Sequence, residues 1–317
     1  MDPRVLSELD RDTVRAVTEL LAVATAGDGA EPLSEQFLLN LRGSGARDGL
    51  SHVVAGGPDG GVAGYAQLDD GYAELAVHPE HRGRGVGTAL VETLEGLVPG
   101  AGSGSGGEAR PPRIWAHGDL PAAARLAERR GYRRDRVLWQ MRRPLRGTER
   151  SAGGTSIGTE PLPEVHLPDG VTLRSFVPGR DDEEFLRVNN AAFDWHPEQG
   201  GWSRRELEER AAEEWFDPAG FLLALDGSGR LLGYHWTKVH PATAEEPALG
   251  EVYVLGVDPA AHGRGLGRVL TLAGLHHLRD RGLDTVLLYV EAGNVPAVRV
   301  YERLGFTVHA ADVNYAR

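Results

Sequence analysis

Residues 257–275 read VDPAAHGRGLGRVLTLAGL, and residues 77–94 read VHPEHRGRGVGTALVETL. The two stretches share one shape. A β-type run ends in Val, a Pro follows two residues on, three glycines stand at alternate positions, and an apolar helical run begins. Val77 and Val257 lie 180 positions apart. Glycines spaced in this way let a chain turn sharply from strand into helix and let several N–H groups converge on one ligand, while the helix adds its positive end. The turn is therefore a candidate cradle for an oxyanion or a pyrophosphate. A tight turn kept only for packing is the plain alternative, and a single copy would not decide between them.

Reading outward from each turn gives the same order of elements twice. A helical region comes first (residues 10–26 and 181–193), then a hairpin (50–68 and 220–239), then the glycine turn and its helix. A strand follows (RIWAHG, 113–118; TVLLYVEAG, 285–293), and a short helix closes each unit (121–132 and 295–306). Gly131 and Gly305 stand where such a helix ends, a position at which the left-handed conformation costs glycine least. The repeat predicts an N-terminal domain over residues 1–145, a linker over 146–165 and a C-terminal domain over 166–317. The stretch 98–113, rich in Gly, Ser and Pro, reads as a loop within the first copy.

Composition narrows the function classes. The 317 residues are 41% hydrophobic and 25% charged, the balance of a globular protein with room for two cores. With no cysteine, disulfides, thiolate metal sites and a cysteine nucleophile are excluded. A formal charge of −12 argues against nucleic acid as a partner. No apolar run reaches the roughly 20 residues of a membrane span, and the first residues, MDPRVLSELDRDTVRAV, have no apolar core of a secretory signal. The expectation is a cytoplasmic protein with no membrane partner, and a monomer. His276 and His277 are adjacent on a helix and face different directions, so no metal site is expected.

Two nucleotide fingerprints fail. The third glycine of a dinucleotide turn is replaced by Thr88 in one copy and Arg268 in the other, and neither copy has the Gly-Lys-Ser/Thr of a P-loop. The runs Arg82-Gly83-Arg84-Gly85-Val86-Gly87 and His262-Gly263-Arg264-Gly265-Leu266-Gly267 instead resemble the Arg/Gln-x-x-Gly-x-Gly/Ala signature of the GNAT family of acyl-CoA N-acyltransferases. His262 departs from the family's Arg or Gln. Residues 291–306, EAGNVPAVRVYERLGF, are similar to that family's Asn-x-x-Ala-x-x-x-Tyr-x-x-x-Gly-Phe segment.

The resemblance covers nearly the whole chain, twice. It implies an α+β fold of two tandem GNAT domains, each a mixed, mostly antiparallel sheet flanked by helices, with acetyl-CoA as co-substrate and no metal. It also implies that the strand before the turn splays from its neighbour and that the pantetheine arm lies in the gap. The arm would face the main chain of Leu255, Gly256 and Val257, and of Leu75, Ala76 and Val77. The pyrophosphate would sit on the amides of His262, Gly263, Arg264, Gly265, Leu266, Gly267 and Arg268, and of Gly83, Arg84, Gly85, Val86, Gly87 and Thr88. Contacts at the distal end would come from Asn294, Val295, Pro296, Ala297, Val298 and Arg299.

Acetyl transfer from a thioester needs a neutral amine and a proton for the leaving thiolate. Glu251, opening the run EVYVLGV, is the candidate base, and Tyr301, at the family's tyrosine position, the candidate acid. Taken singly, each has a bland reading, an exposed strand-start Glu and a core Tyr. Aligned on the turns, Glu251 matches Gly71; aligned on the closing helices, Tyr301 matches Ala127. The C-terminal copy is thus expected to be catalytic and the N-terminal one not.

The stretch NNAAFDWHPEQGGWS, residues 189–203, is not general to the family. With HWTKVHP (235–241), GEVYVLGVDPAA (250–261) and LLYVEAGNVPAVR (287–299), it resembles a narrower group of tandem members that acetylate the cysteinyl amine of Cys-GlcN-Ins. That likeness implies a small-molecule substrate site built from Glu35, Glu198, Lys238, Glu251 and Tyr289, with Glu35 supplied by the first half. Carboxylates suit hydroxyls and an ammonium as partners, and a lysine donates in return. Two other readings stay open on the residues: a tandem acetyltransferase for another amine or peptide, and a non-catalytic acyl-CoA sensor.

Overall fold

A computed structural model describes residues 2–43, 47–58, 60–98, 110–146, 161–194, 200–243 and 246–317. Most of the loop read at 98–113 and most of the linker read at 146–165 lie outside the described residues, as does Glu198. The chain divides into two compact units. The first comprises Met1–Trp139, Glu291–Gly293 and Ala310–Arg317, and the second Gln140–Val290 and Asn294–His309.

In the first unit, β1 (Arg4–Leu6), β2 (Leu50–Gly56), β3 (Val62–Asp69) and β4 (Tyr72–Val77) pair antiparallel in succession. β5 (Arg113–Ala116) then joins β4 in parallel. The period of two along a strand explains how helices cover both faces. Val53, Ala66 and Leu68 point into a cluster with Val86, Leu90 and Leu94 of α3 (Val86–Leu97). Their neighbours Val54 and Tyr65 point the other way, onto Val17, Leu20 and Leu21 of α1 (Arg11–Asp28) and Phe37 and Leu41 of α2 (Glu35–Arg42). α1 opens on Asp10, whose side chain accepts from Thr13 N at 2.8 Å. α4 (Pro121–Arg129) closes the motif and ends at Gly131, with φ of 78°.

The outer partner of β5 comes from the far end of the chain. Val313, Asn314 and Tyr315 pair antiparallel with Ala116, Trp115 and Ile114, and Val313 and Tyr315 enter the α3-side core. This is why Ala310–Arg317 belong to the first unit although they follow the second repeat. They form the end of β12 (Thr307–Ala316); β6 (Arg133–Pro144) follows α4.

The second unit repeats the pattern with a larger, aromatic core. β7 (Thr172–Ser175), β8 (Phe221–Leu225), β9 (Leu231–His240) and β10 (Leu249–Val257) pair antiparallel, and β11 (Thr285–Glu291) joins β10 in parallel. One face carries Phe221, Tyr234 and Trp236 against Phe185 and Val188 of α5 (Asp182–Ala192) and Leu207 of α6 (Arg204–Ala211). Phe221 and Trp236 stack at 4.5 Å, with Phe185 edge-on to Tyr234 at 4.7 Å, geometries that aromatic quadrupoles favour. The other face carries Ala224 and Leu232 against Leu266 and Leu270 of α7 (Leu266–Asp280). α8 (Val295–Arg303) is the closing helix. Among the described residues, no helix is long and apolar enough to cross a membrane.

Candidate functional site

The site of the second unit is built where β10 and β11 part. Their parallel pairing joins Gly250, Glu251 and Val252 to Val286, Leu287 and Leu288 and goes no further. On the other edge of β10, the register with β9 shifts between Val252 and Val254, leaving Tyr253 as a bulge. A bulge bends its strand and raises the local twist, and Leu255–Val257 beyond it lie outside the register with β11. In the first unit β4 and β5 also pair only from Tyr72 to Glu74 and leave Leu75–Val77 beyond the register, here without a bulge in β4. Main-chain groups left unpaired in such a gap can take an extended amide-bearing arm as an added strand.

The glycine turn follows. Gly263 and Gly265 have φ of 79° and 73°, and a Cβ on either would meet nothing within 4 Å. The demand for glycine here is therefore conformational, not steric. Gly265 caps α7 without any side-chain hydrogen bond, so the first-turn amides have no side-chain acceptor from the cap. Gly83 and Gly85 repeat the geometry before α3, with φ of 71° and 87°. The cradle fits an anion such as the pyrophosphate of a coenzyme-A thioester. Leu266, Val298 and Val86 turn their side chains into the cores, at 1%, 7% and 3% exposure, so only their main chain can serve a ligand. Asn294 opens α8, its Oδ1 accepting from Ala297 N at 3.3 Å, which places Val295, Pro296, Ala297 and Arg299 in that helix's first turns.

One role in the turn was missed in the sequence. His262 Nε2 lies 3.2 Å from Val257 O and donates to it, and Arg82 Nε donates to Val77 O at 3.1 Å. Both side chains tie the end of the strand to the start of the turn, so His262 does the work of Arg82 at that carbonyl. A donor five residues after the valine in both copies was the available signal. Arg82 is also held by Asp28 through two bonds of 2.7 Å.

Around Glu251 the β9–β10 register sets the geometry. Glu251 stands opposite Lys238, and Leu249 opposite His240. The Glu251 carboxylate is buried at 6% exposure, and its Oε2 lies 2.7 Å from His240 Nε2. Lys238 Nζ sits over the Trp215 ring at 4.5 Å and the Tyr253 ring at 5.2 Å. Arg210 Nε donates to the Tyr253 hydroxyl at 2.9 Å, and its guanidinium lies 4.3 Å over Trp202. Asn190 brackets the Trp202 backbone, accepting from its N–H at 2.9 Å and donating to its carbonyl at 2.8 Å. The end of the 189–203 stretch is thus anchored beside Lys238 by stacked cations and rings. Tyr289, on β11, is 43% exposed, and its hydroxyl accepts from Gln140 at 2.8 Å. Tyr301, on α8, is half-buried beside Phe306, and burial pushes its phenol up to about 12. It is therefore a proton donor throughout the neutral range.

The first unit holds Glu35 as the opening residue of α2, next to Ser34, whose N–H donates to Glu74 at 2.7 Å. Its turn borders a cavity of about 500 Å³ lined by Leu75, Ala76, Val77, Gly83, Gly85, Gly87 and Thr88, with Trp115, His117 and Tyr132 opposite. Its buried carboxylate, Glu74, accepts from Ser34 and has His117 3.4 Å away, and His117 in turn lies 3.1 Å from Asp312. Burial would lower the His117 imidazole, but the two carboxylates outweigh it and lift the group to about 10. Counted along the strand registers, the position of Glu251 falls on Tyr72 and not on Gly71, because β10 holds one extra residue at Tyr253 that β4 lacks; the position of Tyr301 falls on Ala127. Among the described residues, no cluster of three or more His, Asp or Glu could hold a metal ion.

Comparison with known proteins agrees with this geometry. The model of the acetyltransferase (GNAT) family matches residues 189–306, and that of an acetyltransferase (GNAT) domain matches 48–134. The mycothiol acetyltransferase of Nocardia farcinica is 53% identical over 99% of this chain and 97% of its own length. Those of Thermomonospora curvata and Rhodococcus opacus are 52% and 50% identical, over 99% and 98% of this chain and 98% and 96% of their own. Among solved structures, a tandem GNAT protein of the clavulanic acid biosynthesis pathway superposes with a TM-score of 0.68 at 21% identity, over 100% of this chain and 98% of that one, a likeness of fold. A GCN5-related N-acetyltransferase from Sphaerobacter thermophilus gives 0.62 at 27% identity, over 99% and 95%. With both glycine cradles, both parted strand pairs and full-length identity above half pointing one way, the chain belongs to the mycothiol acetyltransferase family of tandem GNAT proteins.

Proposed function

We propose that the chain acetylates the cysteinyl amine of Cys-GlcN-Ins with acetyl-CoA, the closing step of mycothiol assembly, by direct transfer in a ternary complex formed in the second unit. The observation that carries the reading is a buried carboxylate, Glu251, at the point where β10 and β11 stop pairing. In the transfer the amine nitrogen forms a bond to the acetyl carbon and the carbon–sulfur bond breaks. The amine's proton passes to Glu251 through water, and the departing thiolate takes a proton from the Tyr301 phenol. Main-chain amides of Leu255–Val257 polarise the thioester carbonyl. The base has modest work, since an α-amino group titrates near ~7.7–8.0 and is partly neutral at physiological pH. Because the chain has no cysteine, an acyl-thioester intermediate on the enzyme is not part of the scheme.

Lys238 and Tyr289 are assigned to the hydroxyl-rich acceptor together with Glu35 and Glu198. The last two rest on the likeness to the family, and Glu35→Gln and Glu198→Gln are their tests. The first unit is assigned a non-catalytic role in which its cavity holds the coenzyme. The reading is of a cytoplasmic monomer working without a metal. The test is CoA release from acetyl-CoA with Cys-GlcN-Ins, beside free cysteine and glucosamine. Turnover confined to Cys-GlcN-Ins supports the acceptor. Turnover only with another amine, or none with any acceptor while acetyl-CoA still binds, overturns it.

A further inference from the structure

We infer that His240 is a positioning residue for Glu251, holding one carboxylate oxygen so that the other is presented for proton transfer; the inference rests on the base role proposed for Glu251. A carboxylate oxygen only accepts, so at 2.7 Å the imidazole must donate from Nε2, which fixes the proton on that nitrogen. His240 is the last residue of β9, and its side chain is 37% exposed against 7% for Glu251. The donor therefore reaches inward from the rim to a carboxylate that is nearly out of water. A buried polar group costs free energy unless it is hydrogen-bonded, and His240 supplies that bond.

Lys238 stands directly across from Glu251, yet its ammonium is stacked on Trp215 and Tyr253, and among the described residues the side chain bonded to the Glu251 carboxylate is His240. The oxygen Oε1 has no hydrogen-bond partner among the described residues, and pinning Oε2 stops the carboxylate from rotating between two equivalent poses. In the first unit the strand register puts Tyr72 where Glu251 stands, and the buried carboxylate of that strand, Glu74, has His117 beside it instead.

Gln places an amide N–H at nearly the reach of the imidazole Nε2, whereas Asn is one methylene short and Leu has no donor. With Cys-GlcN-Ins and acetyl-CoA, H240N and H240L are expected to lose about 10- to 100-fold in kcat, the range for a hydrogen bond to a charged group. KM for acetyl-CoA should stay at the wild-type value, and H240Q should stay within about 3-fold of wild type. Thermal unfolding of the variants reports whether each is folded, and the polar pair H240Q and H240N carries the comparison if H240L is not. Wild-type kcat in H240N overturns the inference when E251Q is impaired. A rise in acceptor KM with kcat unmoved does so too, since it would make His240 a contact of the acceptor. Wild-type turnover in E251Q overturns the base role and this inference together.

Discussion

At the residue scale the proposed transfer turns on two groups in different surroundings. Glu251 is buried and held by one donor, and Glu251→Gln keeps its shape while removing the base. Turnover is expected to fall about 100-fold or more, within the usual yield of general-base catalysis, with acetyl-CoA affinity unchanged in equilibrium binding. Tyr301 is raised by burial to about 12, so it stays protonated at neutral pH and can give its proton to the thiolate. Tyr301→Phe should lower kcat about 10-fold or more while the neighbouring Phe306 contact keeps the fold, as thermal unfolding would show. The sequence singles out both residues because each stands at a fixed distance from a motif and has no like residue in the other copy. His240 is not singled out. It lies 11 positions before Glu251, and only the register across the intervening hairpin brings the two together.

At the scale of elements, the strand, turn and helix around each glycine motif form one device. The sequence shows it through spacing alone: the period of two before the turn, the alternate glycines, and the apolar face after it. What the spacing does not show is the bulge at Tyr253, just past Glu251, or that β10 and β11 stop pairing beside it. A bulge is an extra residue against a partner strand, and one strand read alone contains no sign of it. The same limit hid the stacking of Lys238 on Trp215, since Trp215 follows a helix far from β9 in sequence. In the first unit the His117 contacts with Glu74 and Asp312 give a pH prediction. His117 is raised from its ordinary 6.5 to about 10, so its contribution to stability is full below pH 6.5 and is lost as pH rises through 10. Unfolding midpoints of wild type should therefore fall from pH 6.5 to 10 more than those of His117→Gln. Parallel curves would show that the imidazolium is not held there.

At the scale of the whole molecule, duplication explains the two cradles, and the fate of the chain's end explains a dependence between distant parts of the sequence. Residues 310–317 complete the first unit by pairing with β5 and burying Val313 and Tyr315 in its core. No pattern in the sequence marks this, because the partner of β12 in the first unit lies about 200 positions away. Deleting 310–317 should lower the unfolding temperature by about 10 °C or more, as losing two buried side chains and a strand edge implies. A fragment of residues 1–145 should stay unfolded for the same reason.

The central claim is that chemistry belongs to the second copy and not the first. The most direct measurement is CoA release with Cys-GlcN-Ins by wild type, G85V and G265V side by side. Each substitution forces a β-branched residue into a left-handed turn with φ of 87° or 73°, which spoils one cradle and leaves the other intact. The account predicts turnover within about 3-fold of wild type for G85V and a loss of about 100-fold for G265V, with both proteins folded. Activity lost in G85V and kept in G265V would contradict it.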